Sequence, residues 1–261
     1  MLLEGKTAVV SGVADRHSIA WHIAQRYSED GAKVILLVLP RMMDRAEKLA
    51  ADLNGALTIA CDVMVDEDIE KSAAECAKAG GTDILVHSIA FASRRALDEA
   101  FITTSRDEFK DALDISAYSL VALTRAFREQ MAGKDASVMT MTFAGSERVF
   151  PGYNVMGVAK AALEASVRYL AWDCGPDGIR VNAISAGPVR TLSARGIKGF
   201  TRMEKTAQAS FPLKYQEPFG AHDVAESALY LASPLSKGVS GQVIYVDRGL
   251  SILGAATADE S

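Results

Sequence analysis

The sequence predicts a single α/β domain built on a doubly wound, parallel, seven-stranded sheet with helices on both faces. Short runs such as KVILLVL at 33–39 are apolar on both sides, as strands covered by helices on both faces must be. These runs alternate with amphipathic stretches typical of helices, and that alternation favours a parallel sheet. Hydrophobic residues make up 49% of the 261 residues, which is enough for a large core, and no linker, repeat or low-complexity segment divides the chain.

Each strand is predicted from a short run of apolar and β-branched residues. The seven runs are Thr7–Ser11, Lys33–Leu39, Leu57–Cys61, Asp83–His87, Ala136–Met141, Gly178–Ile184 and Gln242–Val246. The predicted helices are Ser18–Asp30, Met42–Leu53, Asp66–Lys78, Arg106–Met131, Tyr153–Cys174 and His222–Leu231, with two short ones between Ser193 and Ala209. The tail after Gly254 is small and polar, and we expect it to be frayed.

Composition argues against several classes of protein. The formal net charge of -5 is unlike that of a nucleic-acid binder, so no nucleic-acid partner is expected. Cys61, Cys76 and Cys174 lie far apart with no C-x-x-C pair, so neither a disulfide framework nor a metal site is expected. The chain has no apolar run of about 18 residues, and its first residues are too few and too charged for a signal peptide. We therefore expect a cytoplasmic protein with no membrane association.

The turn after the first strand is a candidate phosphate-binding site. Gly12 follows Ser11 directly, and the next helix begins near Ser18 and Ile19. In a Rossmann-type sheet a dinucleotide binds at this point, because unpaired N–H groups and the helix dipole attract its pyrophosphate. A glycine lets the backbone approach the phosphates, and a serine can cap the helix and donate to a phosphate oxygen. The G-x-G-x-x-G pattern is absent, so an ordinary strand–turn–helix connection is the alternative.

The end of the second strand bears on the choice between NADH and NADPH. A carboxylate that would hold the adenosine ribose is missing, since the strand ends in Val38-Leu39-Pro40-Arg41. Arg41, with Arg45 a turn later, is a candidate for binding a 2′-phosphate. Two arginines at an exposed helix start can also form a solvated face. The cofactor is therefore either NADH or NADPH.

Tyr153 and Lys160 are the candidate catalytic pair. Tyr153 lies at the predicted start of a helix and Lys160 seven residues on, about two turns, so both side chains are expected on one face. A lysine beside a tyrosine is expected to lower the phenol's pKa, and such a tyrosine can stabilise a developing oxyanion. Chance alone places this pair on many helices. Here the helix follows the strand at which a doubly wound sheet places a nicotinamide site, which favours catalysis.

Several segments resemble the short-chain dehydrogenase/reductase superfamily, and within it the branch of the enoyl-acyl-carrier-protein reductases. The resemblance covers about residues 4 to 252. Tyr153 and Lys160 are separated by six residues, where most of the superfamily has three. The other matching segments are GVADRHSIA at 12–20, CDV at 61–63, HSIAFA at 87–92, DISAYS at 114–119, NAISAGPVRT at 182–191 and GIKGF at 196–200.

The resemblance implies hydride transfer from NADH or NADPH to the β-carbon of a trans-2-enoyl thioester, carried on acyl carrier protein, by a homotetramer. Tyr153 would hydrogen-bond the thioester carbonyl, and Lys160 would hold the nicotinamide ribose. The residues implied in dinucleotide binding are Gly12, Ser18, Ile19, Asp62, Val63, Ser88, Ile89, Ala90 and Thr191, besides Arg41 and Lys160. Residues 1–261 would form a single domain. Within it, a segment at about 192–211 would form a substrate flap.

Several residues differ from the branch's pattern or are charged near the expected site. Phe143 replaces a second tyrosine found in many members, although some members that reduce long-chain substrates also have Phe there, and it is expected to shape the substrate pocket. Arg248 replaces a glycine, so it must avoid a positive φ or accept its cost. Arg94 and Arg95 lie near the expected pocket mouth, either as solvated charges or as partners of an acidic group or phosphate.

Two other functions are alternatives to enoyl reduction. A carbonyl reductase or specialised-pathway reductase could use the same branch of the fold, although the chain contains no Tyr-x-x-x-Lys motif. A non-enzymatic sensor of the dinucleotide would not need both Tyr153 and Lys160. Fold alone does not decide among these functions.

Overall fold

Seven parallel strands lie side by side in the order β3-β2-β1-β4-β5-β6-β7. The computed structural model describes residues 1–196 and 199–254. Its strands are β1 Thr7–Ser11, β2 Lys33–Val38, β3 Leu57–Ala60, β4 Ile84–His87, β5 Ala136–Thr142, β6 Ile179–Ala186 and β7 Val243–Val246. Every neighbouring pair is parallel, so all carboxyl ends meet at one edge of the sheet. This confirms the predicted fold class.

Helices connect successive strands and cover the sheet on both faces. The described helices are α1 Ile19–Glu29, α2 Met43–Ala50, α3 Asp66–Lys78, α4 Arg94–Asp98, α5 Arg106–Leu113, α6 Ser119–Met131, α7 Val155–Cys174, α8 Phe200–Ser210 and α9 Ala221–Ala232. Short 3₁₀ helices precede α2 at Pro40–Met42, α5 at Phe101–Thr103, α7 at Ala144–Ser146 and α8 at Ser193–Gly196. Over residues 1–196 and 199–254, no helix combines the length and apolar character that a membrane crossing needs.

The core lies on both sides of the sheet because strand side chains alternate in direction. Ala8 and Val10 of β1 belong to the buried cluster formed with α1, α2 and α9. Val9, between them, belongs to the cluster formed with α3, α6 and α7. Fully buried strands of this kind give the continuous apolar runs from which the fold was predicted.

The structure corrects the predicted helices in three places. The long helix predicted over Arg106–Met131 contains a π-helical segment, Asp114–Tyr118, which separates α5 from α6. Helix α7 begins at Val155 rather than at Tyr153, because Asn154 has a φ of 44° and breaks the helical geometry. Helix α4 was not predicted; Ser93 caps it by accepting a hydrogen bond from the Ala96 N–H at 3.1 Å.

The direction of winding reverses at β1, which pairs with β2 on one side and with β4 on the other. Loops leaving the two strands therefore diverge and leave a crevice at the carboxyl edge, the usual ligand site of such sheets. The residues that follow β1 and β4 are Gly12 and Ser88, and both line the cavity described below.

Candidate active site

A cavity of about 1090 Å³ opens at the carboxyl edge of the sheet. Its walls include every residue predicted for the site: Gly12, Ser18, Ile19, Arg41, Asp62, Val63, Ser88, Ile89, Ala90, Phe143, Tyr153, Lys160 and Thr191. These residues come from distant parts of the sequence, and the parallel strands bring them together because each strand delivers its loop to the same edge.

The turn after β1 is shaped for close approach of a ligand to backbone. Gly12 has a φ of 86°, which an L side chain rarely adopts. A Cβ there would lie 2.0 Å from the Ser88 carbonyl oxygen, so the turn packs directly against the loop after β4. Ser18 caps α1: its hydroxyl accepts from the Trp21 N–H at 3.3 Å and donates to the Asp15 carbonyl at 2.7 Å. This is a turn that fits an anionic diphosphate.

Asp62 and Val63 follow β3 at the other end of the cavity. The Asp62 carboxylate accepts a hydrogen bond from the Met64 N–H at 3.1 Å, and the Asp62 N–H donates to Asp68 at 3.2 Å, which fixes this turn. Arg41 lies in the 3₁₀ helix after the neighbouring strand β2, where it is exposed and lines the cavity. The neighbouring Arg45 pairs with Asp15 at 3.9 Å and does not line the cavity.

Tyr153 is buried, with 9% of its surface exposed. Its ring meets Phe143 edge to face at a centroid distance of 5.1 Å, and Phe143 contacts Phe150 at 4.8 Å. Burial raises the pKa of Tyr153, and the negative charge of Glu164 raises it further. The expectation that Lys160 would lower this pKa was wrong, because desolvation of the phenolate dominates. Tyr153 is therefore a neutral phenol, able to donate a hydrogen bond.

Lys160 lies on α7 with only 5% of its surface exposed. Its Nζ donates to the Met141 carbonyl oxygen at 2.8 Å, close to the end of β5. Burial lowers the pKa of Lys160 to about 8, and the charge of Glu164 acts in the opposite direction. The side chain therefore remains mostly an ammonium at neutral pH. Tyr153 and Lys160 both reach the cavity, Tyr153 from the turn before α7 and Lys160 from the helix itself.

The loops after β4 and β6 close the inner part of the cavity. Ser88, Ile89 and Ala90 follow β4, and Thr191 follows β6, where its hydroxyl accepts from the Ala194 N–H at 3.1 Å. Beyond them, part of the predicted flap lines the cavity, namely Leu192, Ala194, Gly196, Phe200 and Met203. Positions 197 and 198 of the GIKGF segment lie outside the described residues, as do those after Gly254.

Four residues that sequence reasoning missed support the site. Gly145 lies against the Tyr153 ring, where a Cβ would be 2.5 Å from Cδ1. The Asn154 side-chain amide donates to the carbonyls of Ala96, Leu97 and Glu99 and so ties α4 to the start of α7. His87 and Glu164 are buried polar groups beside Lys160. Of these four, only Asn154 could have been suspected from the sequence, since asparagine tolerates a positive φ.

The departing arginines are accounted for by local contacts. Arg248 has a φ of 51°, so it accepts the backbone cost. Its guanidinium is held by the Glu217 carbonyl at 2.8 Å, by Asp223 at 3.2 Å and by the Tyr215 and Phe219 rings. Arg95 forms ion pairs with Glu99 and Glu108. Arg94 pairs with Asp98, with 92% of its side chain exposed, at the rim of the cavity.

A doubly wound sheet with a glycine turn at the switch point and a buried tyrosine–lysine pair defines an enzyme of the dinucleotide-binding α/β class. Comparison with known proteins narrows the class. The family described as enoyl-(acyl carrier protein) reductase matches residues 12–251. An enoyl-acyl-carrier-protein reductase (NADH) of Escherichia coli strain K12 is 44% identical over 253 residues, covering 96% of this chain and 95% of the relative.

Solved structures agree with the sequence relatives. The crystal structure of the enoyl-acyl-carrier-protein reductase (NADH) from Aquifex aeolicus VF5 has a TM-score of 0.92 and 41% identity, covering 98% of this chain and 100% of that one. The Bacillus cereus enoyl-acyl carrier protein reductase, solved with NADP+ and an indole naphthyridinone, has a TM-score of 0.91 and 44% identity over 97% and 99% of the two chains. The chain belongs to the enoyl-acyl-carrier-protein reductase family.

Replacing Gly12 by alanine should disrupt the turn through its contact with Ser88. Gly5 provides a matched control, since it has a similar φ of 76° but no atom lies within 4 Å of the position that its Cβ would occupy. Gly5→Ala should cost only the backbone strain, about 1 kcal/mol. Gly12→Ala should cost about 2 kcal/mol more from the clash and weaken dinucleotide binding at least about ten-fold. Urea denaturation and cofactor titration of both variants would test this prediction. Equal losses of stability and cofactor affinity in the two variants would show that the Gly12–Ser88 contact has no special role.

Proposed function

We propose that this protein reduces the carbon–carbon double bond of trans-2-enoyl thioesters, as the reductive step of fatty-acid synthesis. The observation that carries the proposal is that the buried, neutral Tyr153 and the Lys160 ammonium line the same switch-point cavity. The names of its relatives, which are enoyl-acyl-carrier-protein reductases, support the same substrate class and favour a thioester on acyl carrier protein.

A nicotinamide dinucleotide fits the residues that line the cavity. The Gly12 turn and the start of α1 would receive the diphosphate; because the Ser18 proton is already donated to the Asp15 carbonyl, backbone N–H groups would supply most of the hydrogen bonds. Asp62 and Val63 would border the adenine, and Ser88, Ile89, Ala90 and Thr191 the nicotinamide, with Ile19 between the two ends. When bound, the dinucleotide supplies the hydride.

Tyr153 would stabilise the charge that hydride addition creates. Addition at the β-carbon moves the double-bond electrons toward the thioester carbonyl oxygen, where negative charge develops. The Tyr153 O–H, kept protonated by burial, would donate a hydrogen bond to that oxygen, and a donor in a low-dielectric cavity is strongest where charge appears. A proton then adds to the α-carbon and completes the reduction.

Lys160 and Phe143 would act on either side of Tyr153. The Lys160 ammonium would bind the ribose hydroxyls next to the nicotinamide and keep the cavity electropositive where the enolate forms. Phe143 lacks a hydrogen-bond donor, so it would contribute shape, lining the substrate pocket with its ring against Tyr153.

Absorbance of the reduced nicotinamide provides the direct test. Purified protein should oxidise it with a trans-2-enoyl thioester and not with a 3-ketoacyl thioester. Tyr153→Phe should lower kcat by about 100-fold while leaving cofactor affinity within about two-fold. Oxidation with the ketone alone would instead establish a carbonyl reductase. Wild-type turnover in the Tyr153→Phe variant would exclude the proposed role of the phenol.

We propose NADH as the preferred reductant, with Arg41 setting the residual use of NADPH. The names of the relatives specify NADH, and the end of β2 offers only the exposed Arg41 toward a 2′-phosphate. Arg41→Ala should lower kcat/KM for NADPH about ten-fold and leave NADH nearly unchanged. Arg45→Ala, outside the cavity, is the matched control. Equal losses with both cofactors would show that Arg41 does not contact the 2′-phosphate.

A homotetramer is the expected assembly, and the surface of α7 supports it. Tyr169 and Trp172 leave 76% and 81% of their surfaces exposed on this helix, and exposed aromatic side chains of this kind mark protein interfaces. Light scattering should give four times the chain mass of 27.8 kDa. Trp172→Glu should lower the mass, whereas Leu57→Glu on the edge strand β3 should not. A monomeric wild type would overturn the proposed assembly. A cytoplasmic location stays a prediction.

A further inference from the structure

Glu164 is a buried carboxylate one helical turn beyond Lys160 on α7. Only 7% of its surface is exposed. Its Oε1 accepts a hydrogen bond from the Thr142 hydroxyl at 2.6 Å. An isolated buried carboxylate is strongly destabilising, so a position of this kind requires compensation by hydrogen bonds or by an opposite charge.

The contacts of Glu164 and Lys160 are made to consecutive residues of β5. Lys160 donates to the Met141 carbonyl at 2.8 Å, and Glu164 accepts from the Thr142 hydroxyl. Because the two side chains lie four residues apart on α7, they fix the helix against the strand at two points one turn apart. The arrangement sets both the rotation of α7 and the place at which the ammonium reaches the cavity.

The groups that interact with the ammonium come from β4, β5 and α7. His87 at the end of β4 is fully buried, and its two ring nitrogens lie 2.8 Å from the Thr140 and Ser119 hydroxyls. Burial, followed by the Lys160 charge, lowers the pKa of His87 to about 3, so this ring is neutral. Tyr153, which lines the same cavity, is a neutral phenol. Tyr245 on β7 interacts with Glu164 and is also a neutral phenol, because burial raises its pKa to about 12.

Among the described residues, Glu164 is the group whose charge raises the pKa of Lys160. Its charge also raises the pKa values of Tyr153 and Tyr245. Without it, the ammonium would be surrounded by neutral rings and hydroxyls, and desolvation would act against the charged form unopposed.

We infer that Glu164 is a positioning residue for the reaction: its buried carboxylate keeps the Lys160 side chain charged and, through Thr142, holds it at the cavity. The inference rests on the proposed function where it names the reaction. The interaction between Glu164 and Lys160 does not depend on which substrate is reduced. Glu164 does not line the cavity, so it would act through Lys160, which does.

The pH dependence of kcat/KM tests the inference. In the wild type, loss of the Lys160 proton should set an alkaline limb near pH 8. Glu164→Gln keeps the shape and can still accept from Thr142, but it removes the charge, so the limb should move about one unit lower. Activity should then be about ten-fold below the wild type at pH 9 and within about two-fold at pH 6. Glu164→Asp should restore most of the limb.

Glu129→Gln is the matched control, because Glu129 is an exposed carboxylate on α6 and its loss should leave the limb in place. A purely structural role for Glu164 would instead lower activity by the same factor at every pH. That outcome, or an unshifted limb in Glu164→Gln, would overturn the inference.

Binding of NADH without substrate separates this test from the proposed function. The dissociation constant, followed by nicotinamide fluorescence, should rise with pH as Lys160 loses its proton, and Glu164→Gln should shift that rise downward by the same unit. If the protein does not reduce enoyl thioesters but the binding curves shift, the proposed substrate fails and the role of Glu164 stands. Superimposable binding curves for the two proteins would contradict the role of Glu164.

Discussion

The Lys160 ammonium lies in the interior of the protein, where a charge has to be compensated, and the rest of the site is arranged around that requirement. The Met141 carbonyl and the Glu164 carboxylate provide the compensation, and Thr142 holds the carboxylate in turn. All of these groups lie on β5 or α7, so the chemistry depends on how one strand and one helix are packed together. Tyr153 lies just before α7, so its position depends on how this helix packs against β5.

The parallel sheet supplies the place where this packing meets a ligand. Its carboxyl edge collects the loops after β1, β3, β4 and β6, and the reversal at β1 opens a crevice between two of them. The Gly12 turn can pack against the Ser88 carbonyl only because residue 12 has no side chain. The close backbone approach at Gly12 and the compensated charge of Lys160 therefore both follow from the topology of the sheet.

Sequence reasoning identified the strands and the residues at their carboxyl ends, because both follow from short-range pattern and from the geometry of parallel sheets. It could not identify Glu164, since a glutamate within a helix is usually solvated and only tertiary packing shows that this one is buried. The start of α7 at Val155 depends on the positive φ of Asn154, and the π-helical segment Asp114–Tyr118 has no simple sequence signal. The pKa of Tyr153 was predicted in the wrong direction because it is set by burial and by the charge of Glu164, neither of which the sequence shows.

Different parts of the site control the orientation of the Tyr153 ring and the charges in the cavity around it. The edge-to-face contact with Phe143 and the absence of a side chain at Gly145 set the position of the phenol ring, which is a matter of packing. Burial keeps the phenol protonated, while the Lys160–Glu164 arrangement keeps a positive charge in the same cavity. An oxyanion forming in this cavity would meet both a neutral hydrogen-bond donor and the Lys160 ammonium. Both features depend on the surroundings, because a buried lysine without its carboxylate would lose its proton at a lower pH, and a solvated tyrosine would gain little from its hydrogen bond.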